Sequence, residues 1–554
     1  MNARQIHLKA IALAIAFMAS HSMAESNGFD KSHDWYGNER GRRSEVTEPA
    51  FVTVTGGNLM GAKVSGVYAF KGIPYAVAER FQEPQPTSWA NFKKALAFGE
   101  TCPNGARNVN VHEFVTESNH DMVENENCLS LNVWTTSLAD KNSWRRGSHL
   151  KPVVVWMHGG GFSSGSSAEL PYYDGANLAA NQDLVFVSVN HRLNVLGYLD
   201  LSAYGSQWAS TGNLGQLDLV AALVWVRDNA TKFGGDPNNV TIVGQSGGAG
   251  KVITLMGMPS AKGLFHKVVA LSGGSSGQTQ VNARAAAARL FTQLGITTVE
   301  ELKQIPYRQL ADAASAARVG ASPVIDGVVY PAATVTAGKF SDISKDVPLV
   351  ISNTFSEFCG NSVGLTAWTT STNPLADVYR PATPPSRVNE ILTQRFGAAK
   401  DSIVQEFRRV YPGHDLFDLL FFAVGCGPNR IATADAKAAQ GGAPVYSAVY
   451  AMNSPWFGGV VSVHTGGDLP FLFDNAETIP HLIAGEEGDA YRLASEASNA
   501  LGNFARNGDP SDQKLRWPAY NAETQWTMIF DKRSRALKRG DRDLADKIAS
   551  SRTP

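Results

Sequence analysis

Val240-Thr241-Ile242-Val243-Gly244-Gln245-Ser246-Gly247-Gly248 is the stretch on which the fold turns. Four apolar or β-branched residues run straight into Gly-x-Ser-x-Gly, and Lys251-Val252-Ile253-Thr254-Leu255-Met256 follows as a helix. A strand, a tight serine turn and a helix in succession make a nucleophile elbow, with small residues beside the serine so that the strained turn can pack. The same pattern recurs around Ser163, Ser275 and Ser362. Ser163 and Ser275 sit in Gly/Ser loops, and Ser362 follows its strand after an intervening loop. Ser246 is therefore the candidate nucleophile.

Outward from this element, short apolar runs recur at Pro152 to Met157, Leu184 to Val189, Asn239 to Val243, Lys267 to Leu271, Val347 to Ile351 and Val445 to Tyr450. Being apolar at consecutive positions, they read as strands buried on both faces, as in a parallel sheet covered by helices. The clearest helix spans Gln216 to Asn229, with Leu217, Val220, Ala221, Leu223, Val224 and Trp225 as its expected apolar face. The pattern is α/β and doubly wound. Ligands in such sheets bind beyond the carboxyl ends of the strands.

His158-Gly159-Gly160-Gly161 begins where the Pro152 to Met157 strand ends. Acyl transfer puts negative charge on a former carbonyl oxygen, and amides already aimed there stabilise it. Glycine suits the task because it has no Cβ to block the approach. The expected donors are Gly160, Gly161 and Gly247, the last just after the serine. A phosphate-binding loop is the competing reading, but no Gly-Lys-Ser/Thr signature follows.

With these parts in this order, the sequence resembles the type B carboxylesterase family, which includes cholinesterases and bacterial para-nitrobenzyl esterases. Further blocks carry the resemblance: Phe70-Lys71-Gly72-Ile73-Pro74-Tyr75-Ala76 with Arg80-Phe81, Glu126-Asn127-Cys128-Leu129-Ser130-Leu131-Asn132-Val133, Phe233-Gly234-Gly235-Asp236-Pro237, and Phe504-Ala505-Arg506-Asn507-Gly508 with Trp517-Pro518. The resemblance implies an α/β-hydrolase fold with large loop and helical insertions around a gorge, mainly Cys102 to Cys128 and Cys359 to His464. It implies a serine carboxylic-ester hydrolase working through a Ser-His-Glu triad and an acyl-enzyme. Small to medium esters and water would be its partners, without a cofactor. A lipase-like hydrolase of long-chain esters and a non-catalytic cholinesterase-like binding protein are the alternatives.

The family's acid is usually a glutamate after a strand like Val347-Pro348-Leu349-Val350-Ile351, which points to Glu357. Asp326, in Pro323-Val324-Ile325-Asp326-Gly327, competes and reads as a hairpin-turn aspartate. Chain order leaves His414, His464 and His481 as bases. His414 lies in what reads as a helix-start loop, and His481 precedes the apolar run Leu482-Ile483-Ala484. His464 stands ahead of Asp468-Leu469-Pro470-Phe471 as the family histidine does, with one residue more than usual before Leu469.

Two departures concern specificity. The family commonly places Glu before the serine and Ala after it, where this chain has Gln245 and Gly247; losing that carboxylate argues against a cationic substrate. Ser272 matches a serine that supports the triad acid, and Phe162, Trp456 and Phe457 are candidates for an apolar pocket. The cysteine of the Glu126 block pairs upstream in the family, implying Cys102–Cys128. Cys359 and Cys426 would then form a second pair or remain buried thiols.

The 554 residues contain no linker, charge block or repeat that would divide them, so 48–554 reads as one domain. A net charge of -1 gives no reason to expect nucleic acid or an anionic membrane surface as partner. No cysteine and histidine cluster has zinc spacing. Arg4 and Lys9 precede an apolar run from Ala10 to Ala19, and Ser22-Met23-Ala24 supplies a cleavage site. The run is too short to span ~30 Å of bilayer. Residues 1–24 thus read as a signal peptide and 25–47 as a loose polar segment, with export to the periplasm or medium and no stable membrane insertion.

Overall fold

Every fully apolar run marked above became a strand, and the order in which they pair sets where the active elements meet. The computed structural model describes residues 48–104, 123–139, 149–275, 277–357, 383–420, 422, 427–455 and 467–551. Ser362, Cys359, Cys426, Trp456, Phe457, His464 and the N-terminal segment lie outside the described residues.

Twelve strands form the path of the main sheet: β1 (Glu48–Val54), β2 (Gly57–Val64), β3 (Val67–Pro74), β4 (Ser130–Thr135), β5 (Lys151–Met157), β6 (Val185–Val189), β7 (Gly235–Gln245), β8 (Lys267–Leu271), β9 (Leu349–Thr354), β10 (Val445–Tyr450), β11 (Thr527–Phe530) and β12 (Arg535–Leu537). Their order is β1-β2-β3-β4-β6-β5-β7-β8-β9-β10-β11-β12. From β6 to β11 all pairs are parallel, with antiparallel strands at both edges. Connections diverge around β5, which makes its carboxyl end the switch point where a ligand site is expected.

Both sheet faces are covered, as consecutive burial requires. Along β5, Val153, Val155 and Met157 face one core while Val154 and Trp156 face the other. This alternation is the two-residue period of a strand. The first core is closed by α2 (Leu214–Asn229) and α3 (Gly247–Leu255), the second by α1 (Ala176–Gln182) and α6 (Glu487–Asn507). Two further helices used below are α4 (Gly427–Ala439) and the four-residue α5 (Leu469–Leu472). On α6, Ala490, Leu493, Ala494, Ala497, Leu501, Phe504 and Ala505 are buried at three- and four-residue spacing, the stripe of an amphipathic helix.

The expected face of α2 is corrected in part, since Leu223 and Trp225 are buried as expected. Leu217, Val220, Ala221 and Val224 are half-buried, whereas Asp218, Leu219, Ala222, Leu223 and Val226 are deepest. An ion pair explains the rotation. Asp218 accepts from Arg192 Nε at 2.8 Å, Nη2 at 2.6 Å and the backbone N–H at 3.0 Å, all buried. A helix apolar nearly all round has no face that periodicity can select, so the charged residue decides.

The insertions also differ from expectation. Between β8 and β9 the chain adds helices Gln280–Leu294, Val299–Gln304 and Tyr307–Ala316. They share a core with Phe81, Leu196 and Trp208, and Tyr307 donates to the Asn104 carbonyl. Cys102 and Cys128 are joined, 26 positions apart. Just beyond Cys102, Asn104 Oδ1 accepts from the Gly165 N–H at 2.7 Å, so the bridged segment is tied to the loop after β5.

A loop of this size gives roughly 3–4 kcal/mol of stabilisation by chain entropy. Cys102→Ser is therefore expected to lower unfolding stability by about that amount in denaturant titrations without reductant. Strong reductant should erase most of the difference.

Candidate active site

Ser246 follows β7 without a gap and caps α3, with φ 55° and ψ -119°. A non-glycine residue there costs about 1–3 kcal/mol and persists when its surroundings fix it. The Ser246 N–H donates to the Leu271 carbonyl at 2.8 Å, and its carbonyl accepts from Gly250 at 3.1 Å. Side chains are excluded on the α3 side. A Cβ on Gly247 would lie 2.0 Å from the Gly161 carbonyl oxygen, and one on Gly248 2.1 Å from that of Met157. The first turn of α3 thus rests directly on the backbone that leaves β5.

That backbone is the glycine turn. Gly160 and Gly161 have φ of 78° and 64°, and Ser163 and Ser164 N–H groups fold back onto the Gly160 carbonyl at 3.3 and 3.1 Å. The N–H groups of Gly160 and Gly161 have no acceptor among the described residues. Gly247 opens α3, where N–H groups lack intrahelical partners. Gly160 and Gly161 are exposed and Ser246 and Gly247 partly so, amid buried neighbours. One small accessible patch therefore gathers a strained serine and amides free to receive an anion, the layout of an acyl-transfer centre.

The sheet order places the remaining candidates. β7, β8 and β9 are adjacent, and their carboxyl ends carry Ser246, Ser272 and the segment to Glu357. Strands two apart stand about 10 Å from each other, room for an imidazole between serine and acid. Glu357 is 2% exposed and accepts from the Thr354 N–H at 2.7 Å. Ser272 has φ 54°, and its N–H bonds the Ser352 carbonyl at 2.8 Å. Its buried Oγ has no partner among the described residues.

Asp326 is engaged elsewhere. It accepts from Val328, Tyr330 and Asn213 at 2.9, 3.0 and 3.0 Å, which closes its own loop. His414 is held at both ring nitrogens by Asp418 at 3.1 Å and Asp531 at 3.2 Å. Burial opposes its charge, but the bonds to the two aspartates outweigh this and raise its pKa to about 9. An imidazole so bound offers no nitrogen to a serine. His481 is exposed. Ser163 belongs to the glycine turn, and Ser275 Oγ accepts from Val335 at 3.4 Å.

Gln245 is 1% exposed, its Oε1 lying 2.8 Å from where a Gly159 Cβ would sit. It packs beneath the glycine turn. Phe162 turns inward, edge-on to Tyr198 at 5.2 Å.

Asp468, at the start of α5, is a residue to which sequence reasoning assigns no role. It is 0% exposed and neither carboxyl oxygen has a hydrogen-bond partner among the described residues. Burial, and then the Glu357 charge, raise its pKa to about 8. A second carboxyl thus stands beside the candidate acid and keeps its proton at neutral pH. The signal was present in Asp468-Leu469-Pro470-Phe471, where one acid precedes a wholly apolar turn. Among the described residues no group of three or more His, Cys, Asp or Glu is arranged to hold a metal ion.

Comparison with known proteins accords with this layout. The profile of the carboxylesterase family matches residues 48–547. Para-nitrobenzyl esterase of Bacillus subtilis (strain 168) is 31% identical over 506 residues, 87% of this chain and 94% of that protein. Phenmedipham hydrolase of Pseudarthrobacter oxydans is 29% identical, covering 87% of this chain and 95% of that one. Among solved structures, an esterase of Clostridium hathewayi that can hydrolyse aliphatic aromatic polyesters superposes with a TM-score of 0.79. It is 33% identical, covering 91% of this chain and all of that one.

The raised pKa of Asp468 has a definite sign for stability. A carboxyl that binds its proton more tightly when folded costs the native state progressively as pH rises from about 4 to about 8. Asp468→Asn removes the titration. Its unfolding stability relative to the parent should shift in its favour across that window and level off above it, in urea titrations at stepped pH.

Proposed function

Because this chain belongs to the carboxylesterase family, we propose that its esterase activity runs through Ser246, His464 and Glu357. Ser246 gives its proton to His464 and attacks the ester carbonyl carbon. The N–H groups of Gly160, Gly161 and Gly247 hold the oxyanion. As the intermediate collapses, His464 returns the proton to the departing alkoxide and an acyl-enzyme remains. Water then attacks, its proton passing to His464 and on to Ser246 as the acid leaves. Glu357 orients the imidazole and stabilises its cation, with Ser272 between the strands as support.

One observation carries this reading: Ser246 at φ 55° on a strand-to-helix turn, its following glycine in contact with Gly161. His464 enters from its place in the chain after β10 and before Asp468. The substrates are small to medium carboxylic esters without a cationic alcohol, since Gln245 brings no charge beneath the turn. Trp456 and Phe457, which lie outside the described residues, enter as candidates for an apolar pocket from their place in the chain ahead of His464.

Residues 1–24 act as a signal peptide, followed by a polar segment 25–47 and a single catalytic domain 48–554, with the mature enzyme in the periplasm or medium. Cys102–Cys128 fits an oxidising compartment, and no described helix is long and apolar enough to cross a membrane. N-terminal sequencing of exported protein should begin at Glu25.

Ser246→Ala or His464→Ala should lower turnover of para-nitrophenyl acetate by roughly 10⁶-fold, as concerted triad members do, and Glu357→Gln by about 10⁴-fold. Ser275→Ala should stay near the parent rate. Stopped-flow should show a burst of nitrophenol equal to the enzyme present. A Ser246→Ala enzyme that still turns over at the parent rate contradicts the assignment. Activity rising on emulsified long-chain esters would favour a lipase.

A further inference from the structure

Lys251 lies on α3, one turn beyond the glycines that touch the β5 backbone, and is 0% exposed. Among the described residues no carboxylate pairs with it. Its Nζ instead donates to the His158 carbonyl at 2.9 Å and more weakly to that of Gly159 at 3.5 Å. The Gly159 carbonyl also accepts from His158 Nδ1 at 3.0 Å. His191 stacks on His158 with ring centroids 5.0 Å apart, and the Phe162 ring lies 5.9 Å from Nζ.

The surroundings are poor for a cation. Burial lowers the Lys251 pKa to about 7, and the Glu169 charge opposes the shift. His158 and His191 are driven toward the neutral form by burial and then by the Lys251 charge. A leucine or methionine would fill this place without the desolvation penalty of an ammonium. A side chain kept here despite that penalty acts through the groups to which its Nζ donates. The Gly159 carbonyl and the Gly160 N–H belong to one conjugated peptide unit. A donor on the oxygen draws electron density through that unit and makes the N–H a stronger donor. The bond to the His158 carbonyl fixes the turn where it leaves β5.

We propose that Lys251 is a positioning residue of the oxyanion site, holding the His158–Gly161 turn in place and strengthening the Gly160 N–H toward the developing charge. This rests on the assignment of Gly160 as an oxyanion donor. The effect belongs to the transition state, because the ester carbonyl carries little charge until it is attacked.

The test uses the full chain with Lys251→Met, which keeps the bulk, and Lys251→Gln, which keeps one neutral donor. Turnover of para-nitrophenyl acetate is measured per site titrated with a fluorophosphonate, so unfolded molecules do not count. Removing one oxyanion donor outright costs about 10²–10³-fold. Weakening it should lower kcat by about 10–100-fold in Lys251→Met with KM within twofold, and less in Lys251→Gln. Affinity for a trifluoromethyl ketone, which forms the oxyanion on Ser246, should fall by the same factor as kcat. Thermal stability of Lys251→Met should equal or exceed that of the parent. Parent-like kcat and ketone affinity in both variants would overturn the inference, and so would failure of both to fold, which would make Lys251 structural. Either result leaves the Ser246 assignment standing. Turnover surviving in Ser246→Ala would remove that assignment instead.

Discussion

A serine held at positive φ is the constraint around which the rest is arranged. The turn at Ser246 stores backbone strain, and its surroundings must outweigh that strain. They do so from three directions: the Leu271 carbonyl on β8, the Gly250 N–H inside α3, and glycine backbone lying on backbone at Gly247–Gly161 and Gly248–Met157. The last contact has a double effect. It lets α3 settle close enough to hold the turn, and it brings the glycine turn after β5 beside the same serine. The candidate nucleophile and the candidate anion donors are thus positioned by one packing event.

Two buried ion pairs among the described residues hold together elements that lead to this centre. Arg192 and Asp218 lock the loop after β6 to α2. Arg430 on α4 reaches Asn353 on β9 and Ser447 on β10, and pairs with Asp541. Such pairs add little net stability over apolar replacements. Their value here is geometric, since β9 leads to the candidate acid and the loop after β6 meets the glycine turn at Asn194–Phe162.

What the sequence revealed and withheld follows from the range of the forces involved. The strands were legible because burial on both faces forces consecutive apolar residues, a local pattern. The elbow was legible because its strain restricts the neighbouring residues, also locally. The buried face of α2 was not, because Arg192, 26 positions upstream, chose it. The helices within 280–316 are hard to read although Leu290, Leu302 and Leu310 carry their core, because two are alanine-rich and the third has six residues, which leaves weak periodicity. Asp468 stands in a block the sequence analysis quotes and Lys251 in the helix after the elbow, but what sets them apart is burial by distant elements, which no local pattern reports. Phe162 and Gln245 are buried by contacts with Tyr198 and with the glycine turn respectively, which lie far off in the sequence.

The strand order bears on how the enzyme comes into being. Apart from the exchange of β5 and β6, position across the sheet follows position along the chain. A chain emerging from the ribosome can therefore extend its sheet at one edge as each strand appears, needing one insertion, that of β6 between β4 and β5. The serine turn and the anion donors are encoded before residue 250, whereas Glu357 and His464 come more than a hundred residues later. On the proposed assignment, a half-made polypeptide holds a nucleophile with nothing to take its proton. Reactivity arrives late in synthesis, so truncated products cannot attack esters around them.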